Sequence, residues 1–144
     1  MAPYRYAISL RISHPSIDPA QITAELGEAP SHLQKAGSPH RTPKGTVLDR
    51  ISPESFWVRF ESKGENRTRD LPAGLRALAA RLLPHRQFLR SLRDEGGEVE
   101  IFVGWFAAEQ GGDVLTHELM SQLADLKIDL LFDLYVGKDE ASPE

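Results

Sequence analysis

Five histidines, twenty-one Asp and Glu residues and no cysteine bound the chemistry open to this 144-residue chain. The missing thiol removes disulfides, thiolate nucleophiles and every sulfur-ligated metal or iron–sulfur site. His14, His32, His40, His85 and His117 form neither an HxH nor an HExxH pair; His117-Glu118 lacks a second histidine four residues on. His14, His32 and His40 fall where loops can converge. Without ligand spacing they read as surface residues, and neither a metal nor a cofactor is expected. Paired carboxylates occur twice on strand-like stretches, Glu98 with Glu100 and Asp129 with Asp133. Such pairs do glycosidase-type acid–base work when held about 5–10 Å apart in a cleft. On the open face of a sheet, beside Arg5, Arg11 and Arg59, they read instead as a cross-strand ion-pair ladder, each pair worth about 0.2–1 kcal/mol. No GxSxG elbow, Walker loop or dinucleotide fingerprint occurs, and Ser13 and His14 point to opposite faces of one strand.

The elements that position these residues are marked by periodicity. Tyr4, Tyr6, Ile8, Leu10 and Ile12 alternate with Arg5, Ala7, Ser9, Arg11 and Ser13, which predicts a half-buried strand. Asp18, Pro19 and Gln21 mark a capped helix start, and Gly27 stops that helix after about two turns. Residues 28–45 read as a long loop, followed by a short strand at Thr46–Asp49 hairpinned through Ile51-Ser52-Pro53. Phe56, Val58 and Phe60 alternate with Trp57, Arg59 and Glu61 in a further strand. Residues 62–70 are polar and read as a turn. Leu75, Leu78, Leu82, Leu89 and Leu92, with His85 in the stripe, define a helix that Pro84 must kink or split. A strand over 98–105, a helix with Leu115, Leu119, Leu123 and Leu126 capped by Thr116, and a strand over 128–136 complete the chain. The expected domain is residues 1–137, with 138–144 a charged, disordered tail.

Strands with one apolar and one polar face, interleaved with amphipathic helices, give an α+β class. The expected architecture is a two-layer sandwich: a mostly antiparallel sheet of four to five strands with helices packed on one face. A ferredoxin-like topology with an extra helix is the preferred arrangement. No apolar run nears the roughly 20 residues of a membrane span, and the start carries no basic-then-apolar leader, so no membrane and a cytoplasmic location are expected.

Charge is unevenly distributed. Residues 62–94 carry eight Lys and Arg against three Asp and Glu, and residues 95–144 carry two against twelve. Either the two regions face one another and cancel, or they form a polarised binding surface. Arg86, Arg90 and Arg93 line one side of a helix, the one basic feature suited to nucleic acid. With a net charge of −4 and acid on the sheet, nucleic acid is not the expected partner.

Several stretches also carry a family resemblance. They are Ile12-Ser13-His14-Pro15-Ser16-Ile17-Asp18-Pro19 through Ile22, Leu26-Gly27, Pro30 and the Lys35-Ala36-Gly37 turn. Trp57, Gly97-Glu98-Val99-Glu100, Gly104-Trp105-Phe106, Ile128-Asp129-Leu130 and Asp133-Leu134-Tyr135 follow in order. The chain thereby resembles a bacterial domain-of-unknown-function family, number 4279, from about Tyr4 to Val136. The resemblance implies a small α+β domain and brings no activity or site residue with it; an immunity or adaptor role is an analogy with other small bacterial domains.

What remains is the open sheet face. Trp57, Phe102, Leu131 and Tyr135 are large residues expected to point away from the helices, ringed by acid. They read as an interface for an unknown protein partner or a second copy, unless the 28–45 loop or another helix covers them as a second core. The runner-up is a small-ligand or enzyme site at the strand-to-helix mouth, built from His14, His32, His40 and Arg41 with Trp105 as a wall. Composition and motifs lean away from an enzyme.

Overall fold

The computed structural model describes residues 4–42, 44–61, 67–68 and 70–137; the tail expected at 138–144 lies outside them. Strand β1 (Tyr4–His14) is the alternating opening segment. Helix α1 (Pro19–Leu26) follows, with the Asp18 side chain accepting from the Ala20 N–H and Gly27 closing it at φ +72°. Then come β2 (His32–Gln34), β3 (Pro39–Arg41), β4 (Val47–Ile51), β5 (Ser55–Phe60) and β6 (Arg67–Thr68). Helix α2 (Leu71–Leu82) meets Pro84 and passes through a 3-10 turn at Leu83–His85 into α3 (Arg86–Asp94), the split that the proline requires. Strand β7 (Glu98–Ala107), α4 (His117–Asp125) and β8 (Asp129–Val136) complete the order. No helix among the described residues is long and apolar enough to cross a membrane.

The main sheet runs β2-β5-β1-β7-β8, with β6 beside the start of β1. All neighbours are antiparallel except β7 and β8, which are parallel. With the helices on one face, this is the expected two-layer α+β sandwich. The ferredoxin-like arrangement is replaced. That topology splits each βαβ unit by an intervening strand, whereas β7 and β8 flank α4 as direct neighbours. Alternation fixes the faces of a strand but not its neighbours, which is why the two topologies look alike in sequence.

The 28–45 segment does not form a covering layer. It adds β2 at the sheet edge and then leaves as a two-stranded arm, β3 against β4, closed by a turn at Thr42–Thr46. The strand expected near Thr46–Asp49 therefore pairs backward with β3 and not forward with β5. Gly45, at φ +91°, permits the tight turn that allows this.

The core lies between the sheet and the helices. Ile8, Leu10, Ile12, Val99, Ile101 and Val103 meet leucines of α2, α3 and α4. Trp57 belongs here as well. It pairs across from Ile12, is fully buried, and donates its indole N–H to Thr23 Oγ1 of α1 at 3.0 Å. The expectation that Trp57 stands on the open face is thus corrected: register with β1 turns it inward, and Phe56, Val58 and Phe60 take the open side. A buried indole needs an acceptor, and α1 supplies one. Gly97 lets β7 start tightly against β1, since a Cβ there would lie 2.7 Å from the Ser13 carbonyl and 2.8 Å from that of Leu92.

Two stability outcomes follow from this packing. Trp57→Ala removes a large core side chain and its hydrogen bond, and should cost about 3–5 kcal/mol in chemical denaturation. Gly97→Ala should cost about 1–3 kcal/mol, since backbone atoms cannot step aside. Gly112→Ala, with open space around it, serves as the control and should leave the midpoint unchanged.

Candidate functional site

The open face of the sheet is built from the second phase of each strand. Register places Ser9, Arg11 and Ser13 of β1 beside Phe102, Glu100 and Glu98 of β7, and beside Phe60, Val58 and Phe56 of β5. On the other side, Asp129, Leu131, Asp133 and Tyr135 of β8 stand opposite Glu100, Phe102, Gly104 and Phe106. The twisted sheet forms a concavity of about 460 Å³ here, lined by the apolar Phe56, Val58 and Phe60, by the carboxylates of Glu54, Glu98 and Glu100, and by Arg11. His32 of β2 closes one side with its ring 5.2 Å from that of Phe56.

Among the described residues, Arg11, Glu98 and Glu100 form no ion-pair ladder on this face. Arg11 sits opposite Glu100, yet its guanidinium lies 3.9 Å from the centre of the Phe102 ring and its Nε donates to Ser9 Oγ. A guanidinium stacks well on a ring while its edges stay hydrated, which makes the aromatic a competitive partner. Arg59 faces the helices and joins Glu28, Glu61 and Arg81 in a separate cluster. Asp129 pairs with Arg93 of α3 at 2.9 Å. Among the described residues, Glu54, Glu98 and Glu100 have no ion-pair partner. Beyond Phe102 the surface continues through Leu131 to Tyr135, whose ring stacks on Phe106 at 5.2 Å and whose hydroxyl donates to Asp133 at 2.6 Å. That bond to a carboxylate raises the Tyr135 pKa.

A family model described as "Domain of unknown function (DUF4279)" matches residues 3–137, which include every strand and helix of the fold. The chain belongs to this family. No curated protein and no solved structure matches it. Function in this DUF4279 domain is therefore argued from its own side chains.

The other surface weighed from sequence, the strand-to-helix mouth, is not assembled. His14 is buried there beside a polar cavity of about 950 Å³. Its Nδ1 accepts the N–H groups of Ser16 and Ile17 at 3.0 and 2.9 Å, which places the ring proton on Nε2, where it is donated to Glu95 at 2.7 Å. With both nitrogens committed, His14 fastens the turn into α1. His32 lies on the opposite face of the sheet, and Arg41 lies out on the arm; His40 lies on β3, with its side chain outside the described part. Trp105 pairs with Tyr6 at the far end of β1 and stacks on Tyr4 at 3.8 Å. Among the described residues no three His, Asp or Glu side chains converge as metal ligands.

The arginines of α3 are also accounted for. Arg86 makes a two-pronged contact with Asp125 at 2.7 and 2.8 Å, Arg90 donates to the Asp125 carbonyl, and Arg93 to that of Lys127. Arg86 holds the Asp125 carboxyl below its usual range. Basic middle and acidic end thus cancel across α3 and the turn into β8.

One polar group stood out in no sequence pattern. The Tyr4 hydroxyl accepts the Leu71 N–H at 2.8 Å and donates to Asp113. It substitutes for the missing cap of α2, because Asp70 adopts a left-handed conformation and makes no side-chain cap bond. Burial, reinforced by the Asp113 carboxylate, pushes the Tyr4 phenol up to about 12. The folded state thus keeps a proton that the unfolded chain releases near pH 10. Stability contributed by this proton is complete below pH 10 and should be lost as pH rises towards 12. Denaturation midpoints across that window should fall in the native protein, and distinctly less in Tyr4→Phe.

Proposed function

We propose that this domain is a binding module and not a catalyst, and that its open sheet face takes a protein segment presenting a basic side chain beside an apolar one. The observation that carries this reading is the apolar concavity rimmed by three carboxylates without ion-pair partners. An apolar floor favours a docked side chain by desolvation, and a lining with three carboxylates against the one guanidinium of Arg11, itself stacked on Phe102, steers and selects a basic occupant. A neutral or acidic occupant would bury those carboxylates uncompensated, which is costly. Phe102, Leu131 and Tyr135 extend the same surface towards β8, with Leu131 39% exposed. Trp57 acts behind this surface as a core residue.

Fluorescence anisotropy with short extended peptides tests the reading. Peptides carrying Lys or Arg next to Phe or Leu should bind. Glu98→Lys with Glu100→Lys should weaken them by about tenfold or more while leaving the circular dichroism of the fold unchanged. Equal binding of acidic peptides, or unchanged affinity in the double variant, would sink it.

A further inference from the structure

Beyond the hydrogen bonds at its root, the arm formed by β3 and β4 has little support from the rest of its own chain. Its two strands pack chiefly on each other, and an isolated two-stranded hairpin is marginal in water. Val47 and Ile51 on it are 52% and 66% exposed. Arg41, Lys44 and Arg50 are exposed on the same arm and form no ion pair among the described residues, with Asp49 the one acid nearby. The arm therefore carries the two chemistries, basic and apolar, that the open face lacks partners for.

Its direction of exit is set by Gln34. This residue stands opposite Phe56, on the open-face side of the sheet, and is only 4% exposed. Its amide donates to the Pro39 carbonyl at 2.9 Å and its carbonyl oxygen accepts the Arg41 N–H at 3.0 Å. The arm is thus rooted towards the open face, yet none of its described residues lines the concavity of its own chain. From Pro39 to the tip at Lys44 it reaches about 16 Å at roughly 3.3 Å per residue. That is enough to cross three strands spaced about 4.8 Å apart.

We infer that the occupant of the open face is the arm of a second copy of this chain, the two copies exchanging arms about a two-fold axis. The inference rests on the reading of the open face given above and names its partner. Arg41, Val47 and Ile51 share one face of the arm; with Lys44 at the tip, Arg41 meets Glu54, Glu98 and Glu100 of the other copy, while Val47 and Ile51 cover its apolar floor. Reciprocal exchange fills both faces at once and closes the assembly, so it stops at two chains.

Sedimentation equilibrium of the full chain tests this by charge exchange. The native protein should be a dimer. An arm variant (Arg41→Glu, Lys44→Glu, Arg50→Glu) and a face variant (Glu98→Lys, Glu100→Lys) should each weaken self-association by about tenfold or more, because like charges then meet. Mixed in equal amounts, the two should dimerise again, because both contacts of the mixed pair regain opposite charges. A monomeric native protein, a dimer indifferent to either variant, or folded variants that stay monomeric when mixed would each overturn the inference. A native monomer that still binds basic–apolar peptides overturns it while leaving the reading of the face intact. Since the chain has no cysteine, an Arg41→Cys chain mixed with a Glu98→Cys chain gives a second readout that needs no charge reversal. Random coupling of equal amounts already favours the mixed dimer over either homodimer, so oxidation should yield the mixed disulfide dimer well beyond that random share; the random share itself counts against arm exchange.

Discussion

Ten consecutive residue pairs between β1 and β7 decide which side chains share each face of the sheet. Because the side-chain period is two, a slip of one residue would exchange the faces of one strand against the other. In the register adopted, Ile8, Leu10 and Ile12 align with Val103, Ile101 and Val99, so one face is continuously apolar and must be covered. The same register brings Arg11 within reach of Phe102 and leaves Glu98 and Glu100 side by side on the wet face. Core and candidate site are two sides of one constraint.

Both ends of β1 serve distant elements through side chains. At its start, the Tyr4 hydroxyl caps α2 and ties down the segment carrying Asp113. At its end, the His14 ring holds the turn into α1 and reaches the end of α3 through Glu95. These polar groups are buried with partners, as their desolvation requires. Trp57 completes the scheme by joining β5 to α1 through Thr23. The sheet is thereby held against its helices by three directional contacts as well as by apolar packing.

Charge is spent unevenly between the layers. The arginines of α3 are matched by Asp125 and Asp129, and Arg59 and Arg81 by Glu28 and Glu61. The helical side of the molecule is therefore largely self-neutralised, which removes its basic stripe as a surface for phosphate. Among the described residues, charges without an ion-pair partner include the acid around the open-face concavity and the base on the projecting arm. A protein that pairs most of its charges and leaves two complementary groups apart directs association towards those groups.

The sequence by itself determined the long strands and the helices, the α+β class and the family, but not β2, β3 and β6, which fall in segments that read as loop or turn. It also marked the break at Pro84 and the caps at Asp18 and Gly27. Those signals are local: period two, period 3.6, a ring that fixes φ, a residue that tolerates positive φ. Phe102, Leu131 and Tyr135 were legible as open-face residues because strongly apolar partners occupy the other phase of their strands. Trp57 was not, because in β5 the more apolar phase, Phe56, Val58 and Phe60, is the one turned to the open side, and only pairing with β1 puts Trp57 and Arg59 on the other. Phe56 and Phe60 were hidden for the same reason. His14, His32 and Trp105 looked combinable because chain order says nothing of which face or which end of a sheet a residue reaches. The tertiary structure alone decided the order of strands, the parallel β7–β8 pair and the departure of the arm. It also turned Arg11 from Glu100 to Phe102. Each of these depends on contacts between segments far apart in the chain, and such contacts leave no periodicity to read.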